Sequence, residues 1–287
     1  MPMDCRVVLA QVEPTLGNVA LNLETHVREI RAAIDEQADI VVFPELSLTG
    51  YFLKDQTSEV ALALDSAELE QIADLSRRIS IVVGFAERGR DGRVYNAVAW
   101  FEDGELLELH RKVHLVHYGM FDEGRDFAPG ERFRAFESKH GRFGLLICED
   151  MWHVGSSWLH FLSNVDALIV ASAGPARGVT EDETGLRSTH VWNKIHDTLA
   201  LLYQTWIVYV NRVGSEDGIL FGGGSRCVDP HGRETAAIAG LEPGRATAHL
   251  SSDVLRRARV ATPLRRDEKP WIIARELARL GSGAQPQ

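Results

Sequence analysis

Short runs of uninterrupted apolar residues, set between stretches of helical periodicity, constrain this chain more than any other feature. "RVVLAQV" at 6–12, "DIVVFPE" at 39–45, "RFGLLIC" at 142–148, "VDALIVASA" at 165–173 and "TWIVYVNRV" at 205–213 are such runs. Segments apolar on both faces fit strands whose sheet is covered on both sides. Between them lie helical patterns. One spans Asn18 to Glu36 through Val19, Leu23, Val27, Ile30 and Ile34. Others are "SAELEQIADLSRRI" from Ser66, "SSWLHFLSN" and the long "GLRSTHVWNKIHDTLALLYQ". "ISIVVGFAER", "RVYNAVAWF" and "ELLELHRKV" are instead separated by Asp91-Gly92 and Asp103-Gly104, which predict antiparallel hairpins. "GGSRCVDPHGRETAAIAG" predicts a further hairpin turning at Pro230-His231-Gly232. Roughly ten or more strands are too many for one comfortable open sheet, so two packed sheets are expected. With helices outside, the fold class is α/β, a four-layer α-β-β-α sandwich.

Composition removes whole classes of function. The chain has 287 residues and a formal charge of −10, against the clustered Lys and Arg of a nucleic-acid surface. "VLRRARV" and "PLRRDE" are short basic runs near the C-terminus and read as a solvated tail. No apolar stretch approaches the roughly 20 residues of a membrane helix, and "MPMDCRVVLAQV" lacks a secretory pattern. Cys5, Cys148 and Cys227 are odd in number, widely spaced and without a CxxC, which fits a reducing cytoplasm and neither a disulfide framework nor zinc. His110, His114 and His117 lack a fourth ligand at useful spacing, so no metal site is expected. Residues 1–250 read as one domain, and 251–287 as a charged, Pro-broken extension expected at a subunit interface.

Three polar residues interrupt the pattern at or near strand ends: Glu45, Lys112 and Cys148. Taken singly, each has a bland explanation: a surface carboxylate, a solvated edge residue, and small apolar filler. Together they make a workable acyl-transfer site. A free thiol titrates near ~8.5 and needs a base to become a nucleophile. Glu45 can serve if burial raises its pKa. Lys112 and the backbone N–H of Glu149 can receive the oxyanion at a strand-to-helix elbow.

"FPELSLTGY", "HRKVHL" and "GLLICEDMWH" resemble, in order, three signature segments of the carbon–nitrogen hydrolase (nitrilase) superfamily. The resemblance runs from the first strand to about residue 250. It implies an α-β-β-α sandwich that usually dimerises, hydrolysis of a small non-peptide C–N bond through Cys148 with release of ammonia, and no cofactor. "HYGMFDEGRDFAPG" is similar to the segment that places a second glutamate beside the nucleophile, which implies that Glu123 holds Lys112. A loop acid paired with Arg125 is the alternative.

"CEDMW", "YGMFDEGRDFAPG" and "VNRVGSEDGILFGGGSRCVDPHG" look most like the glutaminase domain of glutamine-dependent NAD synthetase. Two features depart from it. Ser172-Ala173-Gly174-Pro175 stands where that branch has Ser-Ala-Ser-Pro, and the loop "ARGVTEDETGLR" is long. No Ser-Gly-Gly-x-Asp-Ser loop occurs, so a role in NAD synthesis needs a separate ammonia-accepting partner. Candidate substrate contacts are Tyr118, Glu149, Trp152, Ser172, Arg177 and Arg187. The expected enzyme is a glutaminase-like amidase acting on a linear amide. An aliphatic amidase or N-carbamoyl amidohydrolase is the alternative, ahead of a nitrilase proper or an inactive binding subunit.

Overall fold

The computed structural model describes residues 3–178 and 185–281. The chain lays down most of one sheet and then all of a second. β1 (Asp4–Gln11), β2 (Ile40–Val42), β3 (Ser80–Arg88), β4 (Val94–Glu102) and β5 (Glu105–Arg111) come first. β6 (Ala135–Ser138), β7 (Gly141–Ile147), β8 (Ala167–Ser172), β9 (Trp206–Asn211), a small β10 (Ser215–Glu216) and β11 (Ile219–Leu220) hairpin, β12 (Arg226–Val228) and β13 (Glu234–Ala237) follow. β14 (Gly244–Ser251) then returns to the first sheet and pairs antiparallel with all eight residues of β1. The sheet orders are β14-β1-β2-β3-β4-β5 and β13-β12-β9-β8-β7-β6.

Alternation along each strand sorts side chains into layers. Val7, Leu9, Val42, Val82 and Trp100 of the first sheet meet Phe143, Leu145, Ile147, Ile169 and Val208 of the second. The outer face of the first sheet takes α1 (Val19–Asp35) and, beyond a short α2 (Thr57–Val60), α3 (Ala67–Leu75), through Ile30, Ala33, Leu69 and Ile72. Past a one-turn α4 (Glu123–Asp126), the outer face of the second takes α5 (Val154–Leu162) and α6 (Arg187–Tyr203), through Phe161, Trp192, Leu199 and Tyr203. The arrangement is the four-layer α-β-β-α sandwich.

Two helices differ from the sequence reading. The buried stripe of α1 is Asn22, His26, Ile30 and Ala33, not the purely apolar set, because Asn22 and His26 are turned inward to bond the loop beneath them. α3 ends at Leu75, before Arg77 and Arg78, where the Ser76 hydroxyl donates to Ala73 O and accepts from Gly104 N. Past residue 250, α7 (Ser252–Ala261) is part of the body: it buries Leu255 and Ala258, and Arg259 bonds Asp166 and Val165 O. A short α8 (Leu264–Asp267) and then α9 (Pro270–Gly281) follow, and α9 buries none of its residues within this chain. Among the described residues, no helix is long and apolar enough to cross a membrane.

Candidate active site

Glu45 follows β2 on a turn that the neighbouring elements hold tightly. Gly84 of β3 passes so close that an added Cβ would lie 2.4 Å from Pro44 O and 2.9 Å from Glu45 Cα. From α1, His26 Nε2 bonds Ser47 Oγ at 2.9 Å and Asn22 Nδ2 donates to Leu48 O at 2.9 Å. The Glu45 carboxylate is fully buried. Its Oε1 accepts from Lys112 Nζ at 2.7 Å and Asn96 Nδ2 at 2.8 Å, and its Oε2 from Ala173 N at 2.7 Å. A carboxylate has about four lone-pair sites, so these donors leave room for one more proton.

Lys112 lies one residue past β5. Its backbone N–H donates to Asn96 O at 2.8 Å and its carbonyl accepts from Gly130 N at 2.7 Å. The ammonium donates to Glu45 and, at 2.7 Å, to Glu123 Oε1. Glu123 is buried as well; its Oε1 also accepts from the Tyr51 hydroxyl, and its Oε2 from Val116 N at 2.9 Å. Arg125 does not pair with it but with Asp55. Burial raises the Glu45 pKa, and Glu123 adds to this while Lys112 opposes it. Burial also works against the charge on Lys112, but Glu123 and Glu45 outweigh it and hold the ammonium well above its ordinary pKa.

Cys148 ends β7 on a sharp elbow, with φ of +41°, and opens a 3₁₀ turn to Trp152. A non-glycine residue in that region is strained and needs support. Asp150 supplies it. Its carboxylate accepts from Ile147 N (3.1 Å), Val113 N (3.1 Å), His114 N (2.9 Å) and His110 Nε2 (2.8 Å). One buried side chain thus ties the nucleophile elbow to the segment that follows Lys112. Burial outweighs everything else at the thiol and, with Glu45, pushes it well above its ordinary value. The Glu45 carboxylate, whose hold on a proton burial strengthens, is near enough to act electrostatically on the thiol. The site brings together a thiol at a strand-end elbow, a buried carboxylate and a buried ammonium, groups that nucleophilic acyl transfer can use.

A cavity of about 440 Å³ opens over the thiol. Tyr118, Glu149, Trp152, Arg177 and Arg187 line it, with Tyr51, Phe121 and Trp192. The Tyr118 hydroxyl donates to Glu149 at 2.9 Å. Trp152 packs edge-on against Trp192, with ring centroids 5.4 Å apart. The two arginines come together because the ends of their loop pair: Arg187 N donates to Gly178 O at 2.7 Å and Ser188 N to Arg177 O at 3.1 Å. Residues 179–184 of that loop lie outside the described residues. Ser172 lies on the sulfur itself, donating to Cys148 Sγ at 3.2 Å. At Gly174 the space is already filled. A Cβ there would lie 3.3 Å from both Trp192 Nε1 and the Tyr209 hydroxyl.

A larger groove, about 580 Å³ along β5 past Arg93 and Arg134, is lined by neither Cys148 nor Glu45. The three histidines stay apart in their bonding: His110 is on Asp150, His114 stacks on His153 at 3.6 Å, and His117 lies near Asp122. Tyr51, Asn96 and Asp150 are the residues that sequence reasoning missed. Tyr51 sits inside the quoted "FPELSLTGY", and Asn96 is the polar residue in the apolar run of β4. These were the available signals.

The sequence profile of the carbon–nitrogen hydrolase family matches residues 6–260. The glutamine-dependent NAD(+) synthetase of Thermotoga maritima is 34% identical over 266 residues, covering 91% of this chain and 44% of that protein. An (R)-stereoselective amidase from a Pseudomonas species is 30% identical over 257 residues, 88% of each chain. The structure of Saccharomyces cerevisiae Nit3, a member of branch 10 of the nitrilase superfamily, superposes with a TM-score of 0.78 at 26% identity, covering 91% of this chain and 95% of that one. The chain spans less than half the length of the NAD(+) synthetases it matches. It belongs to the carbon–nitrogen hydrolase family.

Proposed function

We propose that this carbon–nitrogen hydrolase is an amidase that takes a small, carboxylate-bearing primary amide of glutamine type. The observation that carries the reading is the pairing of charges around the thiol. The Glu149 carboxylate and the arginines Arg177 and Arg187 all line the cavity over Cys148. An amino acid with a side-chain amide, such as glutamine, brings an ammonium and a carboxylate to such a cavity, together with the amide itself. Similarity to glutamine-dependent NAD(+) synthetases supports the same substrate class.

The chemistry then runs on the chain's own groups. Cys148 sulfur bonds to the amide carbon while its proton passes to Glu45. The oxyanion is received by Lys112 Nζ and the Glu149 amide. Glu45 returns the proton to nitrogen, ammonia leaves, and a thioester remains. Water gives a proton to Glu45, attacks the thioester, and the sulfur departs and is reprotonated. Glu123 and Tyr51 keep the ammonium of Lys112 aimed. The released ammonia is free to serve a separate acceptor enzyme. The cavity's apolar walls, Val116, Phe121 and Trp192, favour a general aliphatic amidase as the second reading.

The two readings separate on glutamine against butyramide, which lacks the charged end. Glutamine is expected to be strongly preferred. Arg177→Ala or Arg187→Ala is expected to raise its KM by about 10–100-fold with little change in kcat, the value of a hydrogen bond to a charged group. Equal kcat/KM for the two amides, unchanged in both variants, would discard the glutamine-type reading for the aliphatic one.

A further inference from the structure

The sulfur of Cys148 has crowded electrostatic surroundings. Glu45, Glu123, Tyr51, Tyr118 and Tyr209 all bear on it, or on one another around it, and the ammonium of Lys112, the one nearby among the described residues, is shared between the two carboxylates. A thiolate formed there meets more negative than positive charge. Its hydrogen-bond donor among the described side chains is Ser172, at 3.2 Å. Ser172 has one hydroxyl proton; while that proton goes to sulfur, the oxygen's lone pairs are free to accept from another donor. Tyr209 is that donor, at 3.2 Å.

The arrangement around Tyr209 is built for this reach. Tyr209 is buried on β9, on the face toward α6, with its ring against Trp192 (5.0 Å) and His196 (4.4 Å). In the parallel register it stands beside Val170, two residues before Ser172, so its ring leans toward the strand end. The hydroxyl arrives in space left open at Gly174, where any Cβ would crowd it at 3.3 Å. The missing side chain at 174 and the position of the phenol are two views of one fit.

We propose that Tyr209 is a positioning residue for the nucleophile: by donating to Ser172 Oγ, it turns the Ser172 hydroxyl onto the Cys148 sulfur. Ser172 then stabilises the thiolate as it attacks the amide and again as it leaves the thioester. The proposal rests on Cys148 being the nucleophile. It adds a hydroxyl pair that acts on sulfur and not on substrate.

The test is the second-order rate of alkylation of Cys148 by iodoacetamide at one fixed pH in the full chain, with the adduct located by peptide mass; below its midpoint a thiol reacts in proportion to its thiolate fraction. Cys5 and Cys227 are buried and serve as internal references. Ser172→Ala is expected to slow alkylation by about 10–100-fold, since it removes a hydrogen bond to a charged group. Tyr209→Phe keeps the ring and is expected to slow it by about twofold or more, through loss of cooperative polarisation and of the fixed orientation. In the Ser172→Ala background, Tyr209→Phe is expected to add nothing, because it acts through that hydroxyl. A wild-type alkylation rate in either single variant, or an equal slowing by Tyr209→Phe in both backgrounds, overturns the proposal. Alkylation does not depend on turnover. The proposal therefore fails separately from the nucleophile reading, which falls if Cys148→Ala still hydrolyses amides.

Discussion

Replacing Glu123 with Gln keeps the shape of the side chain and removes its charge, so the consequences can be worked from its bonds. Oε1 accepts from Lys112 and Tyr51, and Oε2 accepts from Val116 N. A glutamine has one oxygen. Placed on the Lys112 side, it turns its NH₂ toward the Val116 N–H, two donors face to face. The opposite flip puts NH₂ against an ammonium, which is worse. The first arrangement orphans one buried amide, at a cost of about 1–3 kcal/mol in stability. Charge loss itself costs little, because two carboxylates and one ammonium become one of each. Activity should suffer more. With its second anchor weakened, Lys112 no longer holds the oxyanion position, and kcat should fall by about 10²-fold. Glu123 also raises the pKa of Glu45 by repulsion. Removing that charge lowers the Glu45 pKa, so the acid limb of kcat, which needs ionised Glu45, should move to lower pH. Ammonia release across pH and urea unfolding measure both effects. A variant with kcat within about threefold of wild type and an unmoved acid limb would refute the role given to Glu123.

Glu45→Gln is expected to slow acylation by about 10²–10⁴-fold, the usual worth of a general base. Lys112→Met is expected to cost about 10²–10³-fold through the oxyanion; single-turnover kinetics check both. Stability should fall on acidification. His26 and His160 are held down to about 4 by burial, and burial lowers His196 further. Unfolded histidines titrate near 6.5, so below that pH the unfolded chain binds protons that the native state refuses, and each group takes away up to about 1.4 kcal/mol per pH unit. Urea midpoints that drop steadily from about pH 7 to pH 4.5 are expected, and a flat series would contradict the burial argument.

The strands were legible because burial on both faces leaves no polar alternation to mistake: 40–42, 143–147, 167–171 and 206–210 are continuous apolar runs. β14 was not, since only Ala248 and Leu250 of its eight residues are buried and a backbone ladder to the distant β1 holds it. Glu45, Lys112 and Cys148 stood out as polar residues at strand ends, while Glu123 emerged from the resemblance of its segment. Asp150 sits two residues from Cys148 and went unread. A buried acid satisfied mainly by the remote 110–114 segment, with Ile147 N beside it, has no local pattern. Ser172, expected to touch substrate, bonds the sulfur; its neighbour in that role, Tyr209, lies on another strand and is aromatic in a run of apolar residues. On α1 the inward-facing Asn22 and His26 hide for the same reason: their partners are tertiary.

The central claim, that Cys148 carries the acyl group, is tested most directly by acid-quenching the enzyme during turnover of glutamine and weighing the intact protein. The account predicts a γ-glutamyl adduct that appears within the first turnover, maps to the peptide bearing Cys148, disappears with hydroxylamine as a thioester should, and is absent from Cys148→Ala. Ammonia released at the wild-type rate by Cys148→Ala, or an adduct mapped to any other residue, would contradict it.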